Sequence, residues 1–240
     1  MTHCWNTFFD GIYCLNLASR PDRMEGMEKR FKHFDLKVER ANAIPGAIVK
    51  SYWSAIQPTN KYFTNPNYLA CAISHVQMYA TALARKQKSI LVIEDDVRIH
   101  PNSDGLTREF FKEIPSDWDL LYFAYIPLSD DQSMWTYAEI EPNRVGPTSV
   151  KAHNLWSMMG YAMSERMMKH MVEVYGSSYP MEVDRYLVNI IQRRSDFKCY
   201  AVSPQCIASA DGYSDNAGVV WNNLSTKSVD SRFAKFEDYI

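Results

Sequence analysis

The sequence has 240 residues, of which 46% are hydrophobic and 22% are charged, and its formal net charge is -2. This length suits one well-buried core and is short for two independent domains, so we expect a single domain over 1–240. The near-neutral charge is unlike the basic excess of nucleic-acid-binding proteins, and no apolar run approaches the roughly 20 residues of a membrane span. The first residues lack the features of a signal peptide, and the five cysteines lack C-x-x-C spacing. We therefore expect a cytoplasmic protein without a zinc or disulfide framework.

The chain opens with a predicted strand, a basic turn and a helix. The apolar run 12–17 has the composition of a buried strand. Arg20 and Arg23 follow it, and Pro21 between them suits the first turn of a helix. Apolar side chains then recur at helical spacing over 24–34, which completes a strand–turn–helix unit.

A long loop, a helix and a second strand follow in order. Pro, Asn, Ser and aromatic residues over 43–66 indicate a loop, and the apolar face of 68–85 predicts a helix. The β-branched run 89–93 is typical of a strand covered on both faces. Three acidic residues follow this run directly: Glu94, Asp95 and Asp96.

The second half repeats the alternation of strands and helices. Buried strands are predicted over 120–124 and 156–162, and Ser164 is positioned to cap a helix over 165–174. A further helix and a loop-like tail from 203 end the chain. Alternation without a repeat or a linker predicts one α/β domain with a largely parallel sheet.

The most informative feature is the acidic triplet that follows the strand 89–93. Ligands of open α/β sheets bind beyond the carboxyl ends of the strands. Three adjacent carboxylates repel one another unless water, hydrogen bonds or a cation compensates, and Mn²⁺ or Mg²⁺ prefers oxygen ligands and bridges to phosphates. In an extended segment Glu94 and Asp96 point to one side and Asp95 to the other. The triplet is either an acidic turn or a metal site built on Glu94 and Asp96, and the buried strand before it favours the metal site.

Two other acidic pairs compete for this role. Asp117 and Asp119 have literal D-x-D spacing around Trp118, but they precede a predicted strand and so belong to the edge of the sheet opposite a ligand. They are interpreted as a structural turn with a buried tryptophan. Asp130 and Asp131 are interpreted as part of a solvated loop.

Four polar residues elsewhere each have a functional and a structural interpretation. On the functional interpretation, Arg20 and Arg23 neutralise the charge of a diphosphate or stack on a base. On the structural interpretation, they form a surface turn in which Asp22 pairs with an arginine. His75 lies in an apolar helix, where it is either a hydrogen-bonded core residue or a ligand. Asp184, near the start of the last predicted helix, is either a helix cap or a general base.

A series of short motifs runs along nearly the whole chain. These are NLASRPDR at 16–23, NYLACAISH at 67–75, ILVIEDD at 90–96, DWDLLY at 117–122, GYAMS at 160–164, VD at 183–184, DGYSD at 211–215 and VVWNN at 219–223. In this order they resemble glycosyltransferase family 25, and the later motifs look closest to the C-terminal domain of procollagen galactosyltransferases. Ala18, Ser19, Tyr68 and Ala70 depart from the family pattern, whereas the acidic motif is intact.

The resemblance implies a GT-A type fold of nucleotide-diphosphosugar transferases with one mostly parallel central sheet. It further implies inverting transfer of galactose or glucose from a UDP-sugar donor, with Mn²⁺ or Mg²⁺ as the cofactor. The implied acceptor is a hydroxyl of a protein or glycan, such as hydroxylysine in collagen.

The resemblance also implies roles for individual residues. Asp96, with Glu94, would hold the cation, and Asp95 or Glu94 would bind the ribose hydroxyls. The implied nucleotide-sugar pocket consists of Asn16, Arg20, Asp22, Arg23, Ser74, His75 and Asp95. Asp184 is the predicted general base, and Asp211 is the second choice for this role or a further metal ligand. Trp221 would shape the acceptor cleft or be a buried structural residue.

Two alternatives stay open beside a glycosyltransferase. One is a catalytically silent nucleotide-sugar-binding or scaffold domain. The other is a metal-dependent nucleotidyltransferase or phosphoesterase, which would need more converging carboxylates for two metals and leaves the motif at 67–75 without a role.

Overall fold

The fold is built from strands and helices that alternate along the chain, and the computed structural model describes residues 2–56, 63–130, 140–221 and 239–240. The strands are β1 (Gly11–Leu17), β2 (Glu39–Ala43), β3 (Ser89–Glu94), β4 (Val97–Ile99), β5 (Leu120–Tyr122), β6 (Ile126–Pro127), β7 (Arg144–Gly146), β8 (Ser149–Lys151), β9 (Leu155–Trp156), β10 (Gly160–Ser164), β11 (Cys199–Val202), β12 (Ile207–Ser209), β13 (Gly212–Ser214) and β14 (Val219–Trp221). The α-helices are α1 (Trp5–Phe8), α2 (Pro21–His33), α3 (Gly46–Lys50), α4 (Trp53–Ile56), α5 (Pro66–Ala84), α6 (Ser103–Glu113), α7 (Glu165–Ser177) and α8 (Val183–Tyr186). A turn of 3-10 helix covers Glu141–Asn143, and a π-helical turn covers Leu187–Ile191.

Eight of the described strands form one mixed sheet in the order β2-β1-β3-β10-β5-β11-β8-β7. Strands β2, β1 and β3 are mutually parallel, as are β5 and β11. Strand β10 runs against both β3 and β5, so these two groups point the same way. The α/β class and the mostly parallel core of the sheet, predicted from the sequence, are confirmed.

Strand β3 alternates its side chains between two hydrophobic cores. Ile90 and Val92 face the core that includes α5 and α7, whereas Leu91 and Ile93 face the core that includes α2 and α6. All four have 0% exposure, and burial of a side chain of this size contributes roughly 1.5–3 kcal/mol. Because both faces are covered, the position of the next residue, Glu94, is held by the packing of the whole strand.

Side-chain caps fix the starts of the two helices that cover one face of the sheet. The side chain of Asn65 accepts hydrogen bonds from the N–H groups of Asn67 and Tyr68, at 2.8 and 3.2 Å, and so caps α5. Ser164 accepts a bond of 3.2 Å from the N–H of Met167 and caps α7, which confirms the predicted cap. Each cap satisfies backbone donors that have no partner within the helix.

The interpretation of 43–66 as one long loop is wrong. Strand β2 ends at Ala43, the first residue of this segment, and helices α3 and α4 follow it. Residues 57–62 lie outside the described part of the chain. Strand β2 was not predicted because it is an edge strand with the sequence ERANA, which has no buried residue. An edge strand needs no apolar alternation, so its sequence gave no strand pattern.

Two other predicted segments are divided differently in the structure. The predicted strand 156–162 is two strands, β9 and β10, separated by a turn in which Ser157 has a φ of 139°. Strand β9 pairs with β6, and β10 enters the main sheet. The tail beyond 203, predicted as loop, contains β12, which pairs with β4, and the hairpin of β13 with β14.

Within the described ranges, no helix combines the length and the apolar character needed to cross a lipid bilayer. All five cysteines are free thiols. The cytoplasmic location expected from the sequence stays a prediction.

Candidate active site

A cavity of about 1230 Å³ opens at the carboxyl ends of β1, β2 and β3, where a ligand of an α/β sheet is expected. Ten of the eleven site residues predicted from the sequence line it: Arg20, Asp22, Arg23, Ser74, His75, Glu94, Asp95, Asp96, Asp184 and Asp211. The eleventh, Asn16, is 1% exposed and lies behind the wall of the cavity. The fold therefore brings together residues from both ends of the chain.

The acidic triplet spans the end of β3. Glu94 is the last residue of the strand, and Asp95 and Asp96 form the turn before β4. The prediction that Asp95 points away from Asp96 is wrong, because the extended conformation ends at Glu94. Asp95 Oδ1 and Asp96 Oδ2 both accept hydrogen bonds from Nη1 of Arg23, each at 2.9 Å. Burial and the charge of Glu94 raise the pKa of Asp96, and burial also raises the pKa of Asp95.

Arg20 and Arg23 bring positive charge to this corner from the start of α2. Arg20 donates to both carboxylate oxygens of Asp22, at 3.0 and 2.9 Å, and its Nη1 donates to Asp215 at 2.7 Å. Nη2 of Arg23 lies 3.5 Å from the same Asp215 carboxylate and donates to the carbonyl of Tyr213. The exposed pair of Arg20 with Asp22 is the surface turn that the sequence offered as an alternative. The contacts of Arg20 with Asp215 and of Arg23 with Asp95 and Asp96 are not part of that turn and connect it to the cavity.

Asn16 supports the acidic triplet from inside the sheet. Its Nδ2 donates to Asp95 Oδ2 at 2.6 Å and to the carbonyl of Arg20 at 3.0 Å. Its Oδ1 accepts a bond of 2.9 Å from Nε of Arg40. The amide is thus fully engaged with the protein, and its contribution is to hold Asp95 in place.

Ser74 and His75 are adjacent in α5 but have different surroundings. The hydroxyl of Ser74 donates to the carbonyl of Ala70 at 2.6 Å and accepts from the N–H of Ile44 at 2.8 Å. It therefore ties α5 to the segment after β2. His75 is 0% exposed, and its Nδ1 lies 2.8 Å from the hydroxyl of Tyr161.

Asp184 lies in the first turn of α8 and faces the cavity. Burial raises its pKa to about 6, and the charges of Glu182 and Glu94 act in the same direction. Its Oδ1 accepts a bond of 2.7 Å from the N–H of Arg185, while the N-cap position of α8 belongs to Glu182. A carboxyl group that titrates near neutral pH is suited to accept a proton from a hydroxyl group.

Asp211 lies at the exposed rim of the cavity, just after β12. The N–H of the preceding Ala210 donates to the carbonyl of Asp96 at 2.8 Å. This bond holds the backbone before Asp211 against the acidic turn. Asp211 is therefore placed near the residues that were predicted to hold the cation.

The D-x-D pair at 117–119 has a structural role. Asp119 is 1% exposed and accepts hydrogen bonds from Nη1 of Arg166 at 2.8 Å and from the N–H of Lys198 at 2.9 Å. Trp118 is buried, and Asp117 forms an exposed ion pair with the side chain of Lys198. These contacts lie before β5, at the opposite edge of the sheet, as the sequence predicted.

Several predicted features fall at or beyond the limits of the described residues. Asp131, Asn222 and Asn223 lie outside them, as does the side chain of Trp221. The side chain of Asp130 is 94% exposed, in agreement with the predicted solvated loop.

The hairpin of β13 with β14 contributes contacts that sequence reasoning missed. Its turn carries Asp215, the carboxylate shared by the two site arginines. Asn67, in the first turn of α5, donates through Nδ2 to the carbonyl groups of Asp215, at 2.8 Å, and Asn216, at 3.4 Å. The DGYSD motif at 211–215 was the available signal, but it does not indicate which residues this aspartate meets.

The charge balance at the end of β3 fits a divalent cation. Glu94, Asp95 and Asp96 carry three negative charges when ionised, and Arg23 supplies one positive charge to them. Asp96 retains 34% exposure of its side chain toward the cavity. Carboxylate oxygens are the ligands that Mn²⁺ and Mg²⁺ prefer. The residues present therefore fit such an ion, with Arg23 already compensating part of the cluster.

Comparison with known proteins finds one family over most of the chain. The family described as glycosyltransferase family 25 (LPS biosynthesis protein) matches residues 9–187. A "glycosyltransferase 25 family member" of Aedes aegypti is 26% identical over 190 residues, which cover 73% of this chain and 30% of the relative. "Procollagen galactosyltransferase 1" of Danio rerio is 25% identical over 203 residues, covering 72% of this chain and 34% of the relative.

A further relative carries a different description. "Inactive glycosyltransferase 25 family member 3" of Homo sapiens is 27% identical over 131 residues, covering 48% of this chain and 22% of the relative. The chain spans about a third or less of the length of these curated relatives. Among solved structures, a glycosyltransferase involved in glycosylation of the major capsid of PBCV-1 aligns with 9% identity and a TM-score of 0.49, covering 85% of this chain and 95% of that one.

Proposed function

The chain belongs to glycosyltransferase family 25, and on this premise we propose that it is an inverting, metal-dependent transferase of the GT-A type. The proposed reaction moves a hexose, galactose or glucose, from a UDP-sugar to an acceptor hydroxyl. The observation that carries the proposal is that an acidic triplet and two arginines line one cavity and contact each other there. A nucleoside diphosphate bound through a divalent cation needs both kinds of charge side by side.

Asp96 and Glu94 are the proposed ligands of Mn²⁺ or Mg²⁺. The ion, when bound, supplies positive charge that stabilises the negative charge developing on the departing diphosphate. Arg20 and Arg23 add positive charge at the same corner, since both guanidinium groups face the cavity. Asn16 holds Asp95 in place at this corner, where the Asp95 carboxylate is the proposed acceptor for the ribose hydroxyls.

Asp184 is the proposed general base. Inversion requires one base that removes the proton from the acceptor hydroxyl as the sugar is transferred. The raised pKa of about 6 leaves Asp184 mostly ionised at neutral pH and makes it a stronger base than an ordinary aspartate. Asp211, at the rim of the cavity, is the second candidate for the general base. If Asp184 is the base, the proposed role of Asp211 is a further ligand of the cation.

The proposed acceptor is a hydroxyl group of a protein or a glycan. Relatives named procollagen galactosyltransferase favour a protein hydroxyl such as that of hydroxylysine, with galactose as the sugar. The cavity of about 1230 Å³ exceeds the roughly 300–1,000 Å³ of ordinary small-molecule pockets. It therefore has room for a donor together with part of an acceptor.

A catalytically silent nucleotide-sugar-binding domain is the second candidate function. Two observations favour it: one relative is named as inactive, and Arg23 compensates part of the charge of the acidic cluster. On this reading the chain binds a UDP-sugar and neither hydrolyses nor transfers it.

The test is metal-dependent release of UDP from a panel of UDP-sugars by the purified chain. We expect UDP release with Mn²⁺ and none with a chelator. Asp96→Asn should lower the rate by about 100-fold or more, the scale of losing one electrostatic stabiliser. Asp117→Asn, the matched control in the rival D-x-D pair, should keep the full rate.

The products and the binding data separate the alternatives. Full metal-dependent turnover by Asp96→Asn removes the proposed metal site. Release of pyrophosphate or free phosphate indicates a nucleotidyltransferase or a phosphoesterase. Calorimetric binding of UDP-sugars without any turnover favours the silent domain.

A further inference from the structure

A second group of metal-ligating side chains lies beside the acidic triplet. Cys71 and His75 are four residues apart in α5, so both project from one face of the helix. That face meets the end of β3, where Oε1 of Glu94 is 3.4 Å from Nε2 of His75. The thiol sulfur of Cys71, a ring nitrogen of His75 and a carboxylate oxygen of Glu94 all lie within 4.8 Å of one another.

The buried imidazole of His75 has one nitrogen engaged and one unengaged. Nδ1 is 2.8 Å from the hydroxyl of Tyr161, which in turn is 2.5 Å from the hydroxyl of Tyr79. Nε2 is buried and has no hydrogen-bond partner among the described residues, although it faces Glu94. A lone pair on Nε2 would repel the carboxylate unless a positive charge lies between them. When Nδ1 donates to a hydroxyl group, Nε2 is left in the form that binds metals.

We propose that Cys71, His75 and Glu94 bind a borderline-soft divalent cation of the Zn²⁺ class, at a site that adjoins the hard-cation site of Asp96 and shares Glu94 with it. Thiolate, imidazole and carboxylate are the ligands that Zn²⁺ takes in proteins, at about 2.0–2.3 Å. Tetrahedral ligands at these distances lie about 3.4–3.7 Å apart, so the observed separations need only small side-chain movements.

The chemistry of the three ligands sets the properties of the site. Burial and the charge of Glu94 raise the pKa of the Cys71 thiol, so binding of the cation releases the thiol proton and strengthens with rising pH. Cys71 and Glu94 line the cavity, which leaves the fourth position of a tetrahedral ion open to solvent or a ligand. Because Oε1 of Glu94 faces His75, the second carboxylate oxygen remains for the cation of Asp96.

A second cluster, at the N-terminus, provides a contrast. His3, Cys4 and Asp104 are similarly close, but Nε2 of His3 is 3.0 Å from Ser103 Oγ, and Nδ1 accepts from the N–H of Trp5 at 3.3 Å. Both nitrogens of this imidazole therefore have protein partners, so the cluster is satisfied without an ion. Its cysteine gives the matched control for the proposed site.

The experiment titrates the purified full chain with Co²⁺, which occupies zinc sites and absorbs strongly in the near ultraviolet when a thiolate binds it. We expect one equivalent of Co²⁺ to produce this absorption and Zn²⁺ to remove it by displacement, since Zn²⁺ binds such sites more tightly. Cys71→Ser should abolish the absorption, and Cys4→Ser should preserve it. Zn²⁺ should also raise the melting temperature of the unsubstituted chain more than that of Cys71→Ser.

Two tyrosine variants test the orientation of the imidazole. Tyr161→Phe removes the partner of Nδ1 and should weaken Co²⁺ binding by about 10–100-fold, the usual effect of losing such a support. Tyr175→Phe, a buried tyrosine whose hydroxyl donates to the carbonyl of Met181, should leave the affinity unchanged.

Three results would overturn the proposal. The first is the absence of thiolate absorption, which would leave a proton on Nε2 as the partner of Glu94. The second is absorption that follows Cys4 rather than Cys71. The third is equal Co²⁺ affinity of the two tyrosine variants. None of these readouts depends on sugar transfer, so the proposed function can fail while this site stands.

Discussion

Replacing Arg23 with glutamine removes the positive charge that holds the acidic turn together. The guanidinium group is 14% exposed and is shared between Asp95 and Asp96, which are 10% and 34% exposed. Without it, Asp95 and Asp96 lose the positive group that they share, and the charge of the neighbouring Glu94 adds to their repulsion. The folded state is then penalised, whereas the unfolded chain is not.

The size of the penalty follows from the burial of the pairs. Removing one partner of a fully buried ion pair costs about 3–5 kcal/mol, and an exposed pair is worth about 0–1 kcal/mol. Since both contacts of Arg23 are mostly but not fully buried, we expect Arg23→Gln to lose about 2–3 kcal/mol. For a chain of this length that is a fall in melting temperature of about 4–12 °C. Arg23→Lys should lose less, because an ammonium group keeps the charge but cannot bind both carboxylates in the same way.

The pH dependence identifies the cause of the loss. Burial and the charge of Glu94 already raise the pKa of Asp96 in the folded chain, and loss of Arg23 raises it further. The pKa of an unfolded aspartate is about 3.9, and a carboxyl group whose folded pKa is higher stays protonated in the folded chain over a wider pH range. Below about pH 3.9 the group is protonated in both states and does not change the stability. As the pH rises from that value to the folded pKa, the cost of ionising the group in the folded chain grows until it is complete. The gap between the parent chain and Arg23→Gln should therefore be small at about pH 4 and largest above neutrality.

The assay is thermal and urea unfolding of both proteins between acid and slightly alkaline pH. Arg30→Gln is the matched control, since Arg30 lies two turns along the same helix, is half-buried, and has no carboxylate partner among the residues that the structure describes. This control should show no comparable pH-dependent gap. A gap for Arg23→Gln that stays constant from pH 4 to 8 would refute the electrostatic reasoning.

Three further predictions address the base, a helix cap and a close contact. Asp184→Asn should lower sugar transfer by about 100–10,000-fold, and the rate of the parent chain should rise with pH through about 6 as this group loses its proton; an unchanged rate in steady-state assays would exclude it as the base. Ser164→Ala should lower the stability by about 1 kcal/mol with transfer kinetics unchanged, because it removes the cap of α7; an unaltered unfolding midpoint would show that the cap contributes nothing. Gly160→Ala would place a Cβ 2.6 Å from Cδ1 of Ile207, and denaturant unfolding should report a loss of about 1–3 kcal/mol that the added change Ile207→Val partly restores. If the double variant is no more stable than Gly160→Ala alone, the contact is not the cause.

The sequence was most informative where packing leaves a local pattern. The apolar runs of β1 and β3 predicted two central strands, because strands covered on both faces need unbroken hydrophobic sequence. The position of the acidic triplet followed from β3, because residues that come directly after a central strand lie at the carboxyl edge of the sheet, where the cavity opens.

The sequence was least informative where a residue depends on a distant partner. Strand β2 is held at the edge of the sheet by pairing with β1, and its own side chains carry no strand pattern. The arrangement of Asp95 with Asp96 depends on Arg23, more than 70 residues earlier. Arg20 meets Asp215 across a separation of 195 residues, which no local motif encodes. Periodicity and spacing describe neighbours along the chain, so these contacts became visible only in three dimensions.

Asp215 lowers the net free energy that an anion can gain by binding Arg20 and Arg23. Both guanidinium groups already have a carboxylate partner on the hairpin of β13 with β14. A diphosphate that takes the place of Asp215 on these arginines gains only the difference between two ion pairs, rather than the whole value of one. Under the proposed function, binding of a donor diphosphate and the contact of this hairpin with the two arginines are therefore linked, so a substitution that weakens the Asp215 contact should strengthen donor binding.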